Sequence, residues 1–231
     1  MNYIFDVDGT LTPSRNLINP KFGAWFEAFA THNACYWVTG SPKYMTERQL
    51  GSSIYKLAVR AYQCSGADVW NGDTNIRTSD WTLPDVARKF LMQCWEEEDF
   101  SEKAEECIHE RPGMINYSMI GPKATNEQRQ VFIDWEEHNG SRRRLADAFN
   151  TMFSDMEATI GGETGIDIGP KGSTKAQILP DFEDVSKITF FGDKTYKGGN
   201  DHEIAKGVLD GDGVVHTVSS WEDTWRILKE Q

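Results

Sequence analysis

The sequence predicts an α/β protein, a doubly wound parallel sheet interrupted by an inserted α+β unit. Three observations predict it. Apolar runs alternate with amphipathic helical stretches at both ends of the 231-residue chain, the alternation lapses in the middle, and acidic residues stand where apolar runs end. Asp6-Val7-Asp8-Gly9-Thr10 follows the run Tyr3-Ile4-Phe5, and Asp193 follows Phe190-Phe191-Gly192. Carboxylates at the ends of parallel strands lie where an open α/β sheet places its ligand.

The first strand ends at Asp6. A helix over 20–31 is expected because Phe22, Trp25, Phe26 and Phe29 recur at helical spacing. A strand over 34–38 follows. Pro42 suits the first turn of a helix that Gly51 closes, and the run 57–62 reads as a third strand. These elements form the first part of the core, residues 1–66.

The inserted unit is expected over 67–170. It opens with a hairpin turning at Asn71-Gly72-Asp73, since Asn-Gly favours a type I′ turn. A helix over 84–98, an acidic helix over 102–107 and a strand over 114–120 come next. Helices over 126–137 and 141–155 and strands over 157–160 and 165–169 complete it. The core resumes over 171–231 with a helix from Thr174, a strand over 187–191, a helix from Asn200, a strand over 214–218 and a helix over 221–229.

Composition narrows the function. A hydrophobic content of 39% and a charged content of 26% describe a folded chain. No apolar run approaches the ~20 residues of a membrane helix, and no signal peptide is readable, so a cytoplasmic protein with no membrane partner is expected. The formal charge of −12 argues against a nucleic-acid partner, which requires basic patches. Any anion site must therefore be built locally, from individual Lys and Arg side chains and helix N-termini. The four cysteines, Cys35, Cys64, Cys94 and Cys107, have neither C-x-x-C nor zinc-finger spacing and read as packed thiols.

Four segments carry chemistry. In Asp6-Val7-Asp8 one carboxylate can attack phosphorus while its neighbour handles the proton of an entering or leaving oxygen; a plain strand followed by a turn has the same pattern. Thr39-Gly40-Ser41 at a strand-to-helix junction offers hydroxyls and N–H groups to an anion, or simply caps a helix. Lys175 can balance Asp6 or lie solvated. Asp193 and Asp201 flank a glycine-containing loop, and carboxylates so placed suit Mg²⁺. His202, beside Asp201, reads as a structural hydrogen-bonding residue.

Together, Asp6-Val7-Asp8-Gly9-Thr10, Thr39-Gly40-Ser41, Lys175 and the Asp193/Asp201 loop resemble the haloacid dehalogenase (HAD) superfamily of aspartyl phosphotransferases. The inserted unit resembles that superfamily's type IIB cap, on a Rossmann-like core. Arg15, Arg111-Pro112-Gly113-Met114, Glu127-Gln128-Arg129, the stretch 161–167 and the stretch 191–204 further resemble the eukaryotic phosphomannomutase family.

The resemblance implies a phosphorylated Asp6, an acid/base Asp8, and Lys175 as the cation beside them. It implies Mg²⁺ held by the Asp6 carboxylate, the Asp8 backbone carbonyl and Asp193, on a loop that also carries Asp201. Asp at position 8 is the pattern of phosphatases and mutases and speaks against an ATPase. Thr39, Gly40 and Ser41 are expected to bind an anionic group of the substrate, Arg15, Arg111 and Arg129 a distal phosphate, and Asp167 a sugar hydroxyl. Two positions depart from the family. Pro122-Lys123 stands where an arginine is expected, and Gly165 where a serine is expected. Lys123 and Thr164 are candidate replacements.

The implied activity is interconversion of mannose or glucose 1- and 6-phosphates, with a hexose 1,6-bisphosphate activator and a homodimer formed through the cap. A sugar-phosphate phosphatase using water as acceptor is the alternative, and a non-catalytic sugar-phosphate binding protein the remote one.

Overall fold

In the computed structural model, which describes residues 1–230, the first apolar run is β1 (Asn2–Phe5). The chain continues through α1 (Pro20–His32), β2 (Ala34–Val38), α2 (Lys43–Leu50), the single turn α3 (Ser52–Tyr55) and β3 (Arg60–Gln63). A hairpin follows, β4 (Asp68–Asn71) and β5 (Thr74–Thr78). The middle of the chain forms α4 (Asp85–Glu97), β6 (Ile108–Arg111), β7 (Met114–Tyr117), α5 (Asn126–Asn139), α6 (Ser141–Met152), β8 (Met156–Gly161) and β9 (Gly165–Pro170). A 3₁₀ helix, Lys175–Asp181, then leads to β10 (Ile188–Gly192), α7 (His202–Asp210), β11 (Val214–Thr217) and α8 (Trp221–Glu230).

Seven strands form one sheet in the order β11-β10-β1-β2-β3-β4-β5. The first five are mutually parallel, with Phe5 opposite Phe191 on one side and Trp37 on the other. Adjacent side chains of a strand point to opposite faces. Phe5, Trp37 and Phe191 accordingly join one core with Phe22 and Phe26 of α1 and Leu228 of α8. Ile4, Val38 and Phe190 join the other, with Ile204, Ala205 and Val208 of α7 and Ile178 of the 3₁₀ helix. This double covering is why the central strands read as continuous apolar runs rather than alternating ones.

The remaining strands form a four-stranded antiparallel sheet, β6-β7-β9-β8. One face carries Ile115, Tyr117, Ile166 and Ile168 into a core with Leu91, Phe132 and Phe149 of the three helices. Arg111, Asn116 and Asp167 occupy positions of the opposite parity. The chain thus divides into two compact units, Met1–Ser79 with the segment from Ser173 onward, and Asp80–Gly172.

The structure departs from the sequence expectations in five places. The hairpin assigned to the inserted unit is the edge of the core sheet, β4 lying antiparallel to β3 with Tyr62 opposite Val69. The boundary therefore falls after Ser79 rather than after residue 66, and the return at Ser173 rather than 171. What ties the hairpin down is a tight turn at Cys64, Ser65 and Gly66, all at positive φ, and Asp68, whose carboxylate accepts from Trp70 Nε1 at 2.7 Å, Asn75 Nδ2 at 2.9 Å and Thr78 Oγ1 at 2.7 Å.

The acidic helix expected over 102–107 is absent. Lys103 Nζ instead donates to the carbonyls of Trp95 at 2.7 Å and Glu98 at 2.6 Å, capping the end of α4. The backbone there bonds to the segment after β7, Ala104 N to Met119 O at 2.7 Å and Ser118 N to Cys107 O at 2.8 Å. A strand not anticipated, β6, follows. The third core strand begins at Arg60 rather than 57, because α3 takes up the approach, and the helix expected from Thr174 is 3₁₀, with Pro180 inside it.

Phe191 is fully buried and stacks on Phe5 at a centroid distance of 5.0 Å. Phe191→Ala should cost about 3–5 kcal/mol, seen as a lowered urea midpoint. Val214→Ala, on the exposed edge strand β11, should stay within about 0.5 kcal/mol of the parent.

Candidate active site

The C-terminal ends of β10, β1 and β2 lie side by side in the sheet, and each delivers one part of the site. Asp6 follows β1 and its N–H donates to Phe191 O at 2.9 Å, holding it beside the end of β10. Asp6 is almost fully buried, and its Oδ1 accepts from Lys175 Nζ at 2.7 Å. The same ammonium donates to Asp201 Oδ1 at 2.7 Å. Asp201 is completely buried, and its second oxygen accepts from Lys194 N at 3.1 Å. One lysine at the start of the 3₁₀ helix thus bridges two carboxylates from opposite ends of the chain.

Oxygens of Asp6, Asp193 and Asp201 lie within 4.8 Å of one another. Three carboxylates against one ammonium leave the cluster short of positive charge. Burial, opposed by Lys175 and reinforced by Asp201 and Asp193, pushes the Asp6 carboxyl well above the usual carboxylate range. Burial and the neighbouring Asp201 push Asp193 up to about 6. Burial works against the charge on Lys175, but Asp201 and Asp6 outweigh it and hold its pKa above the ordinary lysine value. Such a set of hard oxygens fits a Mg²⁺ ion, which takes a few carboxylates and keeps its remaining positions for water or substrate oxygens.

Close approach is built into the backbone. Gly9 has φ +81°, and a Cβ there would stand 2.5 Å from Asp193 Oδ2. A Cβ on Gly192 would stand 2.7 Å from Asp201 Oδ2. Neither position admits a side chain without spreading the carboxylates.

Asp8 faces different partners. Its Oδ1 accepts from Arg15 N at 2.5 Å and from Gln49 Nε2 at 2.9 Å, and its Oδ2 from Ser41 Oγ at 3.5 Å. Its carboxylate is not part of the acidic cluster of Asp6, Asp193 and Asp201. Arg15 adopts a left-handed φ of 57°, which turns its N–H onto Asp8. At the end of β2, Thr39 Oγ1 accepts from Ser41 N at 3.1 Å, and the 39–41 turn is held by Ser65 N on Thr39 O at 2.8 Å and Cys64 N on Ser41 O at 3.1 Å. His202 Nδ1 pairs with Thr195 O at 3.1 Å, a loop contact rather than a ligand position.

The remaining expected residues lie in the antiparallel unit. Asn116 sits opposite Asp167 in the β7–β9 pair and donates to its Oδ1 at 2.7 Å, with Arg111 at 3.7 Å from the same oxygen. Arg129, in the first turn of α5, donates to Thr164 Oγ1 at 3.2 Å and Glu163 Oε2 at 2.9 Å. Lys123 is exposed in the loop between β7 and α5 and joins none of the ion pairs among the described residues. Gln49, Asn116 and Glu163 were not anticipated. Gln49 is legible in retrospect as a polar residue on the buried face of α2, beside Thr46.

The chain has relatives among known proteins. A family model described as eukaryotic phosphomannomutase matches residues 80–231. A phosphomannomutase of Oryza sativa subsp. indica is 30% identical over 230 residues, spanning 96% of this chain and 91% of its own. The Saccharomyces cerevisiae phosphomannomutase is 30% identical over 237 residues, spanning 98% and 92%. The chain belongs to the eukaryotic phosphomannomutase family. The fold is also that of a solved HAD subclass IIB sugar phosphatase, with a TM-score of 0.62 at 15% identity, covering 99% of this chain and 98% of that one.

One of the two departures has a structural counterpart. A Cβ on Gly165 would stand 2.5 Å from Asn116 Nδ2, so a serine there requires the Asn116 amide to shift. The amide of Asn116 fills that space. The Thr164 hydroxyl is held by Arg129.

Protonation and metal binding compete at Asp193. Its folded pKa of about 6 exceeds the ordinary 3.8, so its contribution to metal-free stability is full at low pH and lost as pH rises through about 6. Mg²⁺ requires the ionised carboxylates, so the Mg²⁺-induced rise in Tm should be larger at pH 7.5 than at pH 5.5. Lys175→Met removes the cation shared by Asp6 and Asp201 and should cost about 3–5 kcal/mol of metal-free stability in a thermal or urea melt.

Proposed function

We propose that the protein is a Mg²⁺-dependent phosphohexomutase that moves a phosphoryl group between the 1- and 6-positions of mannose or glucose phosphates through an aspartyl-phosphate on Asp6. The observation that carries this reading is the buried Asp6–Lys175–Asp201 bridge with Asp193 beside it, at the strand ends of a chain from the phosphomannomutase family.

In this reading Lys175 holds Asp6 Oδ1, and Asp6 Oδ2 attacks phosphorus as the phosphorus–oxygen bond to the sugar breaks. Asp8 gives its proton to the departing sugar oxygen. It later takes one back from the hydroxyl that accepts the phosphoryl group. Arg15 N and Gln49 keep that carboxylate in place throughout. The Thr39 and Ser41 hydroxyls and the Gly40 backbone are assigned to the phosphoryl oxygens. When bound by Asp6, Asp193 and the Asp8 carbonyl, Mg²⁺ supplies neutralisation of phosphoryl charge. Arg15, Arg111 and Arg129 are assigned to a phosphate not undergoing transfer, since guanidinium forks suit a dianion, and Asp167 to a sugar hydroxyl. A hexose 1,6-bisphosphate would prime Asp6. We place the activity in the cytoplasm, in keeping with the four free cysteines.

Mannose 1-phosphate with Mg²⁺ should yield hexose 6-phosphate at a rate stimulated by hexose 1,6-bisphosphate. Release of inorganic phosphate alone would instead identify a phosphatase. Asp6→Asn should reduce either activity by at least ~10⁴-fold, the scale seen on removing a nucleophile; an Asp6→Asn protein of ordinary activity would sink both readings.

A further inference from the structure

Three arginines of the antiparallel unit are largely buried, and each is matched with a carboxylate. Arg111 lies 3.7 Å from Asp167, Arg142 3.3 Å from Glu136, and Arg129 2.9 Å from Glu163. The three carboxylates differ in exposure. Asp167 and Glu136 side chains are 16% and 10% exposed, whereas Glu163 is 47% exposed. Asp167 is further fixed by Asn116, and Glu136 by the backbone N–H of Arg142 at 3.0 Å. Glu163 instead stands on the short turn between β8 and β9, next to Gly162 at φ +52°.

From this contrast we infer that Glu163 is a specificity-determining residue that occupies the anion seat of Arg129, so that an anionic substrate group reaches that guanidinium only by displacing an internal carboxylate. The inference rests on the assignment of Arg129 to a substrate phosphate. The physical reason for such a placeholder is the burial of Arg129, whose side chain is 9% exposed. An unpaired guanidinium at that depth is costly, and a resident carboxylate removes the cost in the unliganded protein. Being half-exposed, the carboxylate returns to water at little expense, which keeps the seat exchangeable. Thr164 does not compete for charge. Its hydroxyl accepts one N–H of the guanidinium, so the charge of Arg129 is matched by Glu163. The consequence is a weakened grip on a doubly phosphorylated sugar, set by a single side chain.

The test is a cycle of binding measurements on full-length protein with Mg²⁺, in the Asp6→Asn background so that no transfer occurs. Titration calorimetry gives the dissociation constant of hexose 1,6-bisphosphate for the parent, Glu163→Gln, Arg129→Gln and the double variant. Glu163→Gln should tighten binding by at least about threefold, the scale of one half-exposed ion pair, and should have no effect once Arg129 is gone. Glu163→Ala should move the constant in the same direction and guards against a substitute contact from the glutamine amide. Unchanged or weaker binding in both Glu163 variants, with weaker binding in Arg129→Gln, overturns the inference and leaves the Arg129 assignment standing. Unchanged binding in Arg129→Gln, or no binding by any of the proteins, overturns both.

Discussion

The structure depends on a single buried ammonium. Lys175 lies between Asp6 and Asp201 at 2.7 Å from each, with almost no exposure to solvent. Charges at that depth are tolerated only in mutual contact, and removal of any one leaves the others uncompensated. The bridge joins the end of the first strand, the segment that re-enters the core and the cap of α7. It therefore dictates where the chain must return after its excursion. It also explains the Cβ-free backbone at Gly9 and Gly192, since the carboxylates gathered around one lysine leave no space for side chains.

The same constraint shapes the electrostatics. A chain of net charge −12 has no general attraction for phosphate, so cationic groups must be held at defined points. In the core the buried cation is Lys175, held between Asp6 and Asp201. In the antiparallel unit the cations are arginines, each kept near a carboxylate. The sheet there has two chemistries. Its apolar face forms the core with the helices, and Arg111, Asn116 and Asp167 lie at alternate positions. A strand period of two residues is enough to separate them.

Much of this was legible in the residues. Tyr3-Ile4-Phe5 and Phe190-Phe191 announce buried parallel strands because both faces of each central strand are covered. The acidic residues that end those runs mark the ligand edge of the sheet. Asp6, Lys175, Asp193 and Asp201 do meet. Less legible were features that depend on partners distant in sequence. Nothing local in Asp68–Thr78 says that its strand will pair with β3 rather than with a separate unit. Segment 99–107 has acidic helical composition, but Lys103 is drawn to the carbonyls that end α4, and its backbone bonds follow β7. Gln49, Asn116 and Glu163 look like ordinary polar residues until their hydrogen-bond partners are known.

The opening Asp6-Val7-Asp8 shows where the division lies. The sequence by itself determined that two carboxylates stand at the end of a buried strand, because hydrophobic period and chain direction are local properties. Only the tertiary structure decided that they have different surroundings. Asp6 turns into a buried cluster where burial and neighbouring carboxylates raise its pKa, while Asp8 turns to Arg15 N, Gln49 and Ser41. The physical reason is that charge and hydrogen bonding act through space: the groups that distinguish two aspartates two residues apart come from positions as far off as Lys175 and Asp201.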